Sequence, residues 1–553
     1  MDVSITHKRF GRLNAYRKPV VGAINIALLI GIFWQPTLVY AATPKEPVKV
    51  SASPSTEIRA LSEQIKKLVK ELEYPDKVAE DFVAMVISWK DVQGQPVLVA
   101  WKQSLNQARE DYKQAKISKD QLAKVEENIA KELSQRIQKE ISHGSEKFFD
   151  LSDVVKNKQA QCLSYSQLVY ILGNSLGLST KAITVVEIMT GLLPPEASHI
   201  ASIVRLSDDR TVMVELSQVG FISRPFLMEE EFAKVGNYWE LKDPNNPLGI
   251  HKKIQILDRN GLVASLYNNR GLAHTDLGQH TQAISDLTKA IELNPKFAQA
   301  YYNRGDPYYK LGQLPQAISD YTKAIELNPK YAEAYSNRGG AYTQLGEYTK
   351  ALSDFTNAIE LNPKLAEVYN NRGVAYVELG QLPQAISDYT KAIELNPKYA
   401  DAYCNRGVAY DKLGKLPQAI SDYTKSIELN PKDAKAYFNQ GVGYYKLDQF
   451  PQAISYYTKA IELNPKYAEA YSNRGGAYGR LGEYTKALSD FTKAIEFNPK
   501  FAQAYSNRGA AYAYLGKIED AKKDLLKAVE LNPAEKAHVK RICEQFKLDL
   551  SVD

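Results

Sequence analysis

The chain has 553 residues, enough for about three or four domains, and its 44% hydrophobic, 24% charged composition excludes wholesale disorder. A net charge of +6 over that length is too dilute to imply a nucleic-acid partner. The three cysteines, Cys162, Cys404 and Cys543, are too far apart for a disulfide framework or a paired metal-ligand spacing, and 36 tyrosines against 16 phenylalanines suggest one motif copied many times.

Residues 1–41 read as a signal peptide or a signal anchor. Lys8, Arg9, Arg12, Arg17 and Lys18 form a basic start, and no charge follows from Pro19 to Pro44. The apolar centre, "VVGAINIALLIGIFW", has the length of a signal core. Val39 and Ala41 are small residues placed for cleavage after Ala41. The alternative is an uncleaved anchor, since about 20 apolar residues span a membrane. Either way the basic end stays cytoplasmic and the remainder is exported, to the periplasm or cell envelope of a bacterium. Membrane contact is expected only through such an anchor.

Residues 42–57 read as a Pro/Ser-rich linker and 58–141 as a helical lead-in. Ile58, Leu61, Ile65, Leu68 and Leu72 fall on one helical stripe.

Between 142 and 258 the pattern becomes mixed α/β. Tyr165, Leu168, Val169, Leu172 and Leu176 predict a helix that begins at Cys162 and stops at Gly177. Three strands follow: "TKAITVVEI", "SHIASIVRLS", a turn at Asp208-Asp209, then "RTVMVELS". A thiol at a helix N-terminus feels the positive end of the helix dipole, which favours thiolate. His199 opens the second strand and Glu215 lies on the third, so a hairpin can bring the acid level with the imidazole. Cys162 as nucleophile, His199 as base and Glu215 as the group orienting it form a candidate catalytic set. The alternative is a packed, inert Cys162.

This order resembles the transglutaminase-like superfamily, and most of all its bacterial branch, in which a "QCLSY"-type helix start is joined to helical repeats. The resemblance implies a small α+β, papain-like domain and acyl transfer through a thioester. Glu215 stands where that superfamily usually has Asp.

From 261 to 534 the sequence repeats with a period of 34, eight times. Each unit predicts two helices: one stopping at Leu-Gly, where glycine can take a left-handed cap, the other at Asn-Pro. Alanines let the helices approach, and tyrosines and leucines fill the layer between. Pro307 predicts a kink or early break in the second unit. Tyr335, Gly339, Tyr342, Ala351, Phe355, Ala358 and Pro363 sit at the signature spacings of the tetratricopeptide repeat family, which the units resemble closely. The fold class that follows is mainly α: a right-handed α-solenoid behind the lead-in and the α+β domain. Residues 535–553 read as a capping helix and tail.

An asparagine recurs in every unit: Asn269, Asn303, Asn337, Asn371, Asn405, Asn439, Asn473 and Asn507. It lies about 200° around the helix from the first signature tyrosine, away from that packing. An amide both donates and accepts, which suits a peptide backbone. The eight are therefore candidate ligand contacts for a protein or extended peptide in a concave groove. The competing reading is a bond to the neighbouring repeat. The arginine that follows, replaced in one unit by Gln440, reads as an inter-repeat salt bridge. Cys404 reads as a tolerated thiol at a variable groove position.

No phosphate loop, dinucleotide fingerprint or zinc helix occurs, and neither a metal nor a cofactor is expected. The leading expectation is an exported interaction scaffold that binds a polypeptide. The alternative is a cysteine-dependent acyl-transfer enzyme whose repeats recruit substrate.

Overall fold

The computed structural model describes residues 54–549, except 144–150, 152–153, 155–158, 161, 189–190, 193–198, 216–220, 223–226, 237 and 244–250. The segment expected to direct export lies outside the described residues. Among those described, one compact unit runs from 54 to 329 and a second from 330 to 549.

The first unit opens with α1 (Pro54–Glu71), α2 (Asp76–Ile87), α3 (Val97–Lys113) and α4 (Lys119–Glu140). Leu61, Ile65, Val69 and Leu72 recur at helical spacing along α1, and all four are buried. A capping box starts α4: the Gln121 N–H donates to Ser118 Oγ, and the Ser118 N–H donates to Gln121 Oε1. Next comes α5 (Cys162–Leu176), which ends at Gly177, where φ is +97°.

Seven strands follow: β1 (Ser179–Ile188), β2 (His199–Arg205), β3 (Thr211–Glu215), β4 (Phe221–Ile222), β5 (Phe232–Val235), β6 (Tyr238–Leu241) and β7 (His251–Ile256). They lie in the order β4-β3-β2-β1-β7-β6-β5, each neighbour antiparallel. A further two-residue strand, Gly191–Leu192, pairs with β1. Only β1 to β3 were legible as strands. The others are short, or as polar as "HKKIQI", so they lack a clear two-residue alternation.

The lead-in helices are not a separate layer. Residues of α1 to α4, Leu168 and Leu172 of α5, and Val204, Val212 and Val214 of the sheet share one core with Leu262, Val263 and Leu266 of the first repeat. Burying each such side chain stabilises the fold by roughly 1.5–3 kcal/mol. Polar ties reinforce the packing: buried Glu126 on α4 accepts from the Ser207 N–H at 2.5 Å and from Ser207 Oγ at 2.7 Å, holding the β2–β3 turn. The opposite face of the sheet carries a second cluster of Ile183, Ala201, Ile203, Met213, Met228, Phe232 and Ile254.

Every repeat is a helix pair. Repeats one and two, from Arg259 to Leu327, belong to the first unit; repeats three to eight, from Ala332 to Leu531, belong to the second. The first helix of each pair closes on a left-handed residue, such as Gly346 at φ +76°; in repeat six Asp448 holds that place at φ +56°. A Cβ on Gly407 would stand 2.6 Å from Tyr423 Cε1, so the two helices of repeat five meet more closely than any side chain allows. The leucines of the Leu-Gly ends do not fill the interior: Leu345 is 43% exposed. Pro307 does not break its helix, which runs from Ala298 to Lys310. Proline has no N–H to give to the Asn303 carbonyl, but the Leu311 N–H still reaches the Pro307 carbonyl at 3.1 Å and carries the helix to its end. A single 3-10 turn, Pro533–Glu535, leads into a last helix, Lys536–Phe546, whose Val539, Ile542 and Cys543 cover Ala521, Leu525 and Ala528 of repeat eight.

Candidate functional site

The backbone gathers the three candidate catalytic positions at one end of the sheet. Gly177 turns α5 directly into β1, so the two run antiparallel. Thr180 Oγ1 donates to the Tyr170 carbonyl at 3.2 Å, which sets their relative level. From Tyr170 back to Cys162 the helix rises about 12 Å, the length of roughly three to four strand residues. The start of α5 is therefore level with Ile183 and Thr184. Ala201 lies opposite Ile183, and His199 lies opposite Val185. Val214 pairs with Ser202, so Glu215 ends its strand beside the level of Ala201. The side chains of Cys162, His199 and Glu215 lie outside the described residues.

Alternation imposes a condition on this grouping. Val204, Val212 and Val214 share the core with α5, whereas Ala201, Ile203 and Met213 pack on the opposite face. Strand positions 199 and 215 have the parity of the second set. The β1–β2 register runs unbroken from His199 to Arg205, so these strand positions share with the start of α5 a level and not a face of the sheet. At the far end of α5, Lys102 Nζ donates to the Ser175 carbonyl at 2.9 Å and to Gln64 Oε1 at 2.6 Å. Burial lowers its pKa, while the helix C-terminus favours its charge.

The repeated asparagines divide into two groups. Asn303, Asn337 and Asn439 are buried, at 3%, 6% and 1% exposure. Asn269, Asn371, Asn405, Asn473 and Asn507 are half-buried. Amides of this set bond to the preceding repeat: Asn303 Nδ2 donates to Asn268 Oδ1 at 2.8 Å, Asn405 Nδ2 to Asn370 Oδ1 at 3.0 Å, and Asn439 Nδ2 to Cys404 Sγ at 3.6 Å. The asparagine faces away from its own repeat's second helix, but not away from all packing. The first helix of a repeat packs on its own second helix and on the preceding repeat, so its far side is also an interface. Cys404 accordingly is buried, and desolvation pushes its pKa up to about 11.

The arginines make their salt bridges within their own repeat. Arg406 makes two parallel bonds to Asp422, both 2.8 Å long, and the same fork recurs at Arg270–Asp286, Arg304–Asp320, Arg338–Asp354, Arg372–Asp388, Arg474–Asp490 and Arg508–Asp524. A third nitrogen reaches the preceding repeat: Arg406 Nη1 donates to Thr390 Oγ1 at 3.0 Å. The guanidinium lies 5.7 Å from the Tyr403 ring centre and 5.9 Å from that of Tyr410. Sequence reading missed the aspartate and the threonine, although both recur with the same period as the arginine.

Family models match the repeats throughout: a TPR repeat model at residues 271–312, 305–346, 339–380 and 375–414, and a tetratricopeptide repeat model at 400–433, 434–467, 468–501 and 502–534. Residues 271–534 are tetratricopeptide repeats. Such repeats act as protein–protein interaction scaffolds. Among solved structures, YrrB, a TPR protein with an unusual peptide-binding site, is 31% identical; the match covers 34% of this chain and 97% of that one, with a TM-score of 0.30. A tetratricopeptide repeat protein from Parabacteroides merdae is 22% identical over 45% of this chain and 98% of that one, with a TM-score of 0.38. The match to the anaphase-promoting-complex hetero-tetramer Cut9–Hcn1 is 19% identical, with a TM-score of 0.39; it covers 52% of this chain and 57% of the other. No curated protein matches.

Proposed function

We propose that the chain is an exported scaffold whose repeats hold a partner polypeptide in extended form. The observation that carries this reading is that the amides of Asn371, Asn473 and Asn507, at one register of repeats four, seven and eight, keep part of their surface open to solvent. Of the buried members of the set, Asn303 and Asn439 serve the joints between repeats. The two roles separate experimentally. Changing Asn371, Asn473 and Asn507 together to Ala should weaken binding of a partner recovered by pull-down by roughly 2–4 kcal/mol, with little change in melting temperature. Changing Asn303 and Asn439 to Ala should lower the melting temperature instead. Unchanged affinity in the first variant overturns the reading. Export rests on residues 1–41; the mature chain should begin at Ala42, and a soluble cytoplasmic chain beginning at Met1 would contradict it.

A second reading rests on the level shared by Cys162, His199 and Glu215 at one sheet end. It assigns them thiol-dependent acyl transfer in a transglutaminase-like domain, with Cys162 attacking an amide or ester carbonyl. A Cys162 paired with His199 should alkylate with iodoacetamide faster than Cys543 at pH 6, and His199→Ala should abolish the difference. Equal rates in both proteins would leave Cys162 as a packed residue.

A further inference from the structure

The joint between repeats five and six differs from its neighbours in its buried polar atoms. Here the second helix of repeat five, Leu416–Leu429, packs on the first helix of repeat six, Ala434–Lys446. Four buried side-chain atoms on these helices have no hydrogen-bond partner in the protein: the Tyr423 and Ser426 hydroxyls, Asn439 Oδ1 and Gln440 Oε1. None of the four residues is more than 1% exposed. Repeats four and six have Ala392 and Ala460 in the place of Ser426, so of this burden they carry only the Tyr389 or Tyr457 hydroxyl; repeats three and seven have Phe355 and Phe491 in the place of Tyr423. An orphaned buried polar atom costs about five- to a hundredfold in an equilibrium constant. Two bonds cross this end of the joint: Asn439 Nδ2 to Cys404 ends on sulfur at 3.6 Å, a weak acceptor, and Gln440 Nε2 donates to Thr424 Oγ1 at 2.8 Å.

The other end of the joint is clamped. Two helical turns further on, Lys446 Nζ donates to both carboxylate oxygens of Asp411, at 2.9 and 2.8 Å, and Asp411 is buried. Val408 and Val442, one from each repeat, belong to the apolar cluster that also holds Cys404 and Phe438.

We infer that the chain opens at this joint as a wedge, parting the Cys404–Asn439 end while the Asp411–Lys446 end stays shut. Opening hydrates the four orphaned groups in one step. Tandem repeats permit this because each packs only on its neighbours, so one interface can part without unfolding the rest. Cys404 is a built-in reporter. Its thiol is 4% exposed when the joint is shut, and solvent reaches it when the joint parts.

The test is N-ethylmaleimide modification of the full chain at pH 8, with Cys404 read by peptide-resolved mass spectrometry. Cys404 should react at least tenfold faster than the whole chain unfolds, as followed by circular dichroism under the same conditions. The double change Tyr423→Phe and Ser426→Ala removes two orphaned hydroxyls, restores residues that other repeats carry, and should slow Cys404 at least tenfold. If that variant does not fold, Ser426→Ala alone should slow it at least threefold. Lys446→Met, which removes the clamp, should speed it. A Cys404 rate equal to the global unfolding rate overturns the inference, as does a rate unmoved by removal of the hydroxyls.

Discussion

Asn439 has the poorest partner of the inter-repeat amides. The equivalent bonds of Asn303 and Asn405 end on a carbonyl oxygen at 2.8 and 3.0 Å, whereas this one ends on Cys404 Sγ at 3.6 Å. Burial holds the thiol protonated, with its pKa near 11, so sulfur cannot become a stronger, charged acceptor at neutral pH. Cys404→Asn recreates the pair found at Asn405–Asn370, beside a tyrosine in both cases. It should stabilise the protein by about 0.5–1.5 kcal/mol, the net value of a neutral hydrogen bond, read as a higher urea midpoint. A lower midpoint would mean that this joint does not admit the larger side chain. By sequence Cys404 stands at a variable groove position, yet it is buried. Nothing in the one-dimensional pattern distinguishes a variable position facing solvent from one facing another repeat.

Within the second unit, repeat six replaces an ion pair by rings. Gln440 stands for the arginine and Tyr456 for its aspartate, both changed together. Tyr456 stacks on Tyr444, with ring centres 5.2 Å apart and planes 7° from parallel, and lies 6.4 Å from Tyr437. In repeat five the space between the equivalent tyrosines, Tyr403 and Tyr410, holds the Arg406 guanidinium. Gln440 keeps only the bond to the preceding repeat, from Nε2 to Thr424 Oγ1 at 2.8 Å. The two sites should therefore couple. Tyr456→Asp alone places an unpaired carboxylate on a half-buried surface and should cost roughly 1–3 kcal/mol. Gln440→Arg alone should also destabilise. The double change restores the fork and should recover most of the loss, giving a coupling of about 0.5–3 kcal/mol in a double-mutant cycle. Additive losses would show that the aromatic stack, rather than charge pairing, dominates this repeat.

Across the whole molecule, buried tyrosine sets the response to alkali. Burial raises the pKa of Tyr389, Tyr423, Tyr457 and Tyr467 well above the ordinary value, and that of Tyr165 to about 12. Each stays protonated in the fold while its unfolded counterpart ionises near pH 10. The folded state then binds more protons than the unfolded one, so stability is unaffected below pH 10 and falls above it, by up to about 1.4 kcal/mol per pH unit for each group. Unfolding should be steep between about pH 10 and 12, and the 295 nm absorbance of these phenolates should rise together with loss of circular dichroism. Ionisation that precedes unfolding would show that these hydroxyls reach solvent in the folded chain. The first unit makes a separate prediction. Leu262, Val263 and Leu266 are buried in the core shared with α1 to α5. A chain shortened to begin at residue 259 exposes all three and should aggregate, as read by light scattering, whereas one that stayed monomeric would show that repeat one closes its own end.

The repeat period, the helix pairs, their Leu-Gly and Asn-Pro ends and the helix that begins at Cys162 all follow from local chemistry: spacing of apolar residues, a left-handed glycine and a proline that cannot continue a helix. These signals act within a few residues, so one sequence suffices to read them. Strands β4 to β7 were invisible because their pairing partners lie far along the chain and their own alternation is weak. The fate of the asparagines was decided by packing between repeats. Only there does Asn405 meet Asn370, or Asn439 meet Cys404, because those pairs are 35 residues apart and are brought together by stacking alone. The same holds for the level of His199 and Glu215 against the start of α5. It depends on the β1–β2 and β2–β3 registers and on the turn at Gly177, and a one-residue slip would change both their height and their parity.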